Sequence, residues 1–98
     1  MKRHPELRLE AEFDILNATQ VHEESRPGYG ARFLDAVETC LDAIAGEPLA
    51  FPEVDDGVRK ALLRKFRYAV YFRIIDDETI DVLAVVHHHQ HHDTWRER

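Results

Sequence analysis

The chain has 98 residues, 44% apolar and 33% charged, a composition that fits one small globular domain spanning 1–98 and excludes a disordered chain. No apolar run approaches the roughly 20 residues of a membrane-spanning helix, and the basic start MKRHPELRLEAEF lacks a following apolar stretch, so a cytoplasmic, non-secreted, non-membrane protein is expected. Nineteen acidic against 13 basic residues give a net charge of −6, which argues against a general nucleic-acid binder.

In chain order, Leu7, Leu9, Ala11, Phe13 and Ile15 alternate as in a strand, while Ala11, Ile15, Ala18 and His22 recur at helical spacing. The expectation is a short strand near 6–9 followed by a helix to about 25. SRPGYG then interrupts the pattern with Pro27 and two glycines. In ARFLDAVETCLDAIAGEP, Phe33, Val37, Leu41 and Ile44 fall on one helical face, with Gly46 as the stop and Pro48 just beyond. Cys40 lies in that apolar pattern, which predicts a buried thiol rather than a reactive one, and a single cysteine cannot form an internal disulfide.

EPLAFPEVDDG reads as a loop, and the character then changes. Residues 58–66, 68–75 and 79–87 are rich in Val, Ile, Leu, Phe and Tyr, with DDE as a tight connection between the last two. Three successive strands predict an antiparallel meander, with Tyr68, Val70, Phe72 and Ile74 on one face beside Ile80, Val82, Ala84 and Val86. Two helices supply the cover that face needs. The fold class is α+β in the order β-α-α-β-β-β, a two-helix hairpin on one face of a small antiparallel sheet.

The chemistry-bearing residues are unevenly placed. Val58–Ile75 holds Arg59, Lys60, Arg64, Lys65, Arg67 and Arg73 and no acidic residue, a cationic patch on an acidic body. Such a strand is either a solvated, aggregation-resistant edge or a surface for an anionic partner. Arg73 alternates away from Val70, Phe72 and Ile74, placing it with Tyr71 on the open face of the sheet. Five of the seven histidines lie between 87 and 92 in VVHHHQHHDTWRER. His87 and His89 would share a strand face, but two ligands are not a metal site, so neither a native metal nor any other cofactor is expected. Trp95 reads as a packing anchor. No glycine-rich phosphate loop, nucleophile elbow or HExxH pattern occurs.

Taken together, EESRPGYGARFLDAVETCLDAIAGEP, FPEVDDGVRKALLRKFRYAVYFRI and TIDVLAVVH with Trp95 eight residues later resemble the RelE/ParE toxins of type II toxin–antitoxin systems, often labelled plasmid stabilisation proteins. The resemblance covers nearly the whole chain. It implies a small toxin neutralised by an antitoxin protein, as a homodimer or a toxin–antitoxin hetero-oligomer. ParE-like members inhibit DNA gyrase without cutting nucleic acid, whereas RelE-like members cleave messenger RNA on the ribosome.

A metal-independent ribonuclease needs a base, an acid and cations around the phosphate. In the RelE-like reading His87, Arg73, Arg64 and Lys65 would carry catalysis, yet the arginine such relatives place early on the strand is replaced by Ala69. Relatives also end in an HxRRDPxxW-like pattern, where this chain has His89, Gln90, His91 and His92. The expected branch is therefore ParE-like, non-enzymatic, with Arg59, Lys60, Arg64, Lys65, Arg67, Tyr71 and Arg73 as partner-binding candidates. The RelE-like endoribonuclease and a solitary non-toxic relative are the alternatives.

Overall fold

The structure, a computed structural model, describes residues 3–87. The elements are β1 (His4–Leu7), α1 (Leu9–Ser25), α2 (Tyr29–Gly46), a 3₁₀ turn (Pro48–Ala50), β2 (Glu53–Asp55), β3 (Val58–Leu62), β4 (Tyr68–Ile74) and β5 (Thr79–His87). They form one five-stranded sheet of order β1-β5-β4-β3-β2 with the two helices on one face.

The expected helical stripes face the sheet. Ala11 and Ala18 on α1, and Phe33, Val37, Cys40 and Ile44 on α2, are buried with Val70 and Phe72 of β4 and Ile80, Val82 and Val85 of β5. The helices approach closely at Gly30, where an added Cβ would lie 3.0 Å from the Thr19 carbonyl oxygen and 3.1 Å from Glu23 Cβ. The Glu23 carboxylate also accepts the Gly28 and Gly30 N–H groups at 3.1 Å, satisfying donors at the start of α2. Gly28 takes φ 87, which lets the chain turn from α1 into α2.

The sheet departs from a simple meander at four places. β1 is His4–Leu7, two residues before the expected position, and pairs parallel to β5 through His4↔Thr79 to Leu7↔Val82. The sheet is therefore mostly, not wholly, antiparallel. Arg8 fixes the end of β1: its Nη2 is 2.8 Å and its Nε 3.1 Å from the Asp81 carboxylate, a forked ion pair, while its N–H donates to the Val82 carbonyl and its own carbonyl accepts the Glu12 N–H as α1 begins.

The second difference is β2, three exposed acidic-flanked residues that pair with β3 at Glu53↔Arg59 and Asp55↔Val58 across a turn closed by Gly57 at φ 73. Three residues with no buried side chain give no periodic signal.

Third, β3 ends at Leu62 rather than 66. The pair Leu62↔Ala69 and the bond from Leu63 N–H to Tyr68 O make the intervening residues a hairpin loop, with Lys65 at φ 68. An antiparallel reversal cannot be made by one residue, so the apolar run Leu62–Phe66 had to break.

The fourth is a bulge in β5. Tyr71 pairs with Ala84 but Phe72 with Val82, so Leu83 is an extra residue. Ala84 and Val86 therefore do not join Ile80 and Val82; they lie on the other face with Val58, Ala69, Tyr71 and Leu83 as a second buried cluster. Val85 takes their place over the helices, and its N–H donates to Asp14 Oδ2 of α1 at 3.0 Å. The β4–β5 turn matches the expected DDE connection. Asp76 Oδ1 accepts the N–H groups of Glu78 and Thr79, both at 2.8 Å, and these bonds hold its carboxyl below the usual range.

Gly30→Ala is expected to destabilise by about 1–2 kcal/mol despite alanine's better helix propensity, because its methyl meets α1 backbone. Gly46→Ala, with open space around the added Cβ, should instead stabilise by up to about 1 kcal/mol. Urea unfolding of both variants reads this contrast. Asp14→Ala, which strands the Val85 N–H, should cost about 1–3 kcal/mol in the same assay and speed hydrogen exchange at Val85.

Candidate partner-binding site

The six cations of the basic segment separate into distinct environments. Arg59 is structural in its contacts: Nη1 donates to the Phe51 carbonyl at 2.6 Å and Nη2 lies 3.8 Å from Glu53 Oε1, binding β2 to its approach. Lys60 Nζ sits 5.8 Å from the Tyr71 ring centroid. Tyr71 shares the face of Arg73 as expected, but the residue is 2% exposed, so it packs rather than presents itself. Arg73 is exposed on that face, opposite Val58 and Asp81 in register. Arg64, Lys65 and Arg67 are exposed on the β3–β4 loop at the other end of the strands.

His87 closes β5 opposite Tyr68, ring centroids 5.6 Å apart and edge-on. Tyr68 alternates onto the helix face and Arg73 onto the other. His87 and Arg73 thus lie on opposite faces and, being five β4 residues apart in register, about 17 Å apart along the strand. Ala69, which stands where RNA-cleaving relatives carry an arginine in the resemblance above, is fully buried opposite Val86. His88 onward, including His89, His91, His92 and Trp95, lie outside the described residues. Among the described residues no three His, Cys, Asp or Glu side chains are grouped to hold a metal ion, and no helix is long and apolar enough to cross a membrane.

The loop is anchored by an aromatic cluster. His22 stacks on Phe33 at 4.8 Å and meets Phe66 at 5.1 Å and Tyr68 at 5.5 Å, while Phe66 also lies 5.3 Å from Phe33. The His22 Nδ1–H donates to the Ala18 carbonyl at 2.6 Å, fixing the ring from α1. Each aromatic contact of this kind contributes about 0.5–1.5 kcal/mol, enough to offset the left-handed backbone at Lys65. Because Phe66 points inward, Arg64 and Lys65 are held at the surface.

Between that loop and α2 lies a groove of about 460 Å³. Ala36, Cys40 and Ala43 of α2 form one wall, and Phe51, Leu62 and Phe66 the other. Arg32, Arg64 and Lys65 stand at its rim with one carboxylate, Asp35. Arg32 was not among the sequence candidates. Its signal was available only as an exposed helical position on the same side as Ala36, Thr39 and Ala43. Burial pushes the Cys40 thiol up to about 11, so it stays neutral and contributes apolar surface to the groove wall.

Residues 6–92 match the family model described as the ParE toxin of a type II toxin–antitoxin system, parDE. The chain belongs to the ParE toxin family. Its fold is also that of a solved chain from the chromosomal ParDE toxin–antitoxin system of P. aeruginosa, with a TM-score of 0.75 at 13% identity, covering 88% of this chain and 96% of that one. The comparison with curated proteins gives no match. Family and fold thus agree with the resemblance read from the sequence, and the chain belongs with the ParE toxins of type II toxin–antitoxin systems.

A thiol raised by burial has a defined linkage. Below its ordinary value of 9.0 the Cys40 contribution is fully present; as pH rises toward about 11 the unfolded chain ionises first and stability falls. Tyr68, also raised by burial, acts in the same direction. Thermal unfolding between pH 8 and pH 11 should show this loss, with a shallower slope for Cys40→Ala.

Proposed function

We propose that this ParE-family toxin acts in the cytoplasm by inhibiting DNA gyrase through protein–protein contact, and that a small antitoxin neutralises it by covering a basic surface. The reading follows the family match, and the displacement of Arg73 from His87 supports it. Phosphodiester cleavage needs base, acid and cations within hydrogen-bond reach of one phosphate. His87 and Arg73, on opposite faces about 17 Å apart, do not converge on one. The exposed cations Arg64, Lys65 and Arg67 gather instead at a loop edge, a geometry suited to steering an acidic protein surface.

Tightly regulated expression of the chain should arrest growth with relaxed DNA and intact messenger RNA, and the purified protein should inhibit gyrase supercoiling. His87→Ala should keep that inhibition within about twofold, since the imidazole has no chemical step to perform. Ribosome-positioned messenger cleavage that is lost in the Arg73→Ala, His87→Ala double variant would instead establish the endoribonuclease. Normal growth with active gyrase would establish a non-toxic relative.

A further inference from the structure

Two exposed surfaces of this chain share an apolar character, carry opposite charge and cannot meet within one copy. The first is the outer face of α1. Leu9, Phe13 and Leu16 recur at i, i+4 and i+7 and are each more than half exposed, because the opposite side of the helix carries the buried Ala11 and Ala18. Large apolar side chains grouped on one exposed face mark a contact surface. At about 100° per residue, Glu12 flanks that stripe on one side and Glu10 and Glu24 on the other, and residues 9–25 hold no lysine or arginine. The second surface is the groove between α2 and the β3–β4 loop, with the small Ala36 and Ala43 on one wall and Leu62, 60% exposed, on the other. Its rim reverses the charge of α1. Arg32, Arg64 and Lys65 stand there against the one carboxylate of Asp35, and among the described residues none of these three cations is in an ion pair.

Length matches as well as charge. At 1.5 Å per residue, Leu9 to Leu16 spans about 10 Å of helix and Arg32 to Ala43 about 16 Å, so the whole stripe fits along the groove. The two surfaces stand apart in one molecule: Gly30 meets α1, and the groove residues Ala36 and Ala43 lie more than about 100° round α2 from it. Only another copy can join them. From this we infer that the acidic stripe of α1 docks in the basic-rimmed groove of a second copy, Leu9, Phe13 and Leu16 lying against Ala36, Thr39 and Leu62 and the carboxylates of Glu10 and Glu12 meeting Arg32, Arg64 and Lys65. The contact is heterologous, one surface of a copy meeting a different surface of the next. It rests on these two surfaces and not on the gyrase reading. A single helix in a groove buries less than a standard interface, so the association is weak and reversible. A copy whose groove is filled has Arg64 and Lys65 covered, so self-association competes with any acidic partner of that surface.

The test is sedimentation equilibrium of the full chain from about 5 μM to about 500 μM, the range in which a small, transient interface shows itself. Expected is an average mass that rises with concentration, and rises less in about 0.5 M salt. Phe13→Arg breaks the stripe and leaves the groove, whereas Thr39→Trp fills the groove and leaves the stripe. Each variant alone should need at least about tenfold more protein to associate, while an equimolar mixture should form one-to-one pairs and stop there, since one intact stripe and one intact groove remain between them. Both positions are exposed, circular dichroism checks the fold, and Leu16→Lys and Ala43→Trp stand in for a variant that does not fold. Arg64→Glu with Lys65→Glu should weaken association about tenfold, and mixing that variant with Glu10→Lys, Glu12→Lys should restore it. A wild type that is monomeric throughout, a dimer unchanged by either substitution, or a mixture of the two variants that stays monomeric would overturn the inference.

Discussion

The extra residue at Leu83 is the constraint around which the sheet is arranged. β5 runs between β1 and β4 and must serve two buried faces with one nine-residue strand. Before the bulge it gives Ile80 and Val82 to the helices; after it, Val85 and, at the strand end beside Tyr68, His87, with Leu83, Ala84 and Val86 turned to the opposite side. The shift leaves the Val85 N–H directed at α1, where Asp14 accepts it, so a backbone irregularity becomes a specific tie between sheet and helix. It also decides that the face away from the helices is apolar and packed around Tyr71 rather than a flat charged platform.

How much of this could be read beforehand depended on whether a feature was periodic. α2, with Phe33, Val37 and Ile44 on one stripe and Gly46 at its end, was legible because burial and helical spacing coincide. β4 and β5 were legible as strands for the same reason. The bulge was not, since Val82, Leu83, Ala84, Val85 and Val86 are all apolar and an unbroken apolar run hides a change of face. The end of β3 was hidden by Lys65, which occupies a left-handed turn position without the glycine, asparagine or aspartate that usually marks one. The parallel pairing of β1 joins residues more than 70 positions apart, and no local pattern carries such information.

The candidate site divides along the same line. The presence of six cations in one segment was plain, but their separation was not. Arg59 is committed to holding β2, Lys60 lies over Tyr71, and Arg73 is on the far face, so only the loop cations share a surface. That surface is completed by Arg32 and the small residues Ala36 and Ala43 from another element, which tertiary packing alone places there. Small side chains on that flank of α2 are also what leaves the groove open, since bulk at these positions would fill the space between helix and loop.

The fork between Arg8 and Asp81 has a meaning in time as well as in space. It joins the entrance of α1 to the last strand, 73 residues away along the chain. β1 and α1 are synthesised before Asp81 and Val85 are added, so β1 has no strand to lie beside and α1 no Val85 to tie to Asp14 until the last part of the chain is made. Closure of such distant contacts is also slow after release. The nascent chain therefore passes through an interval in which the assembled fold does not exist.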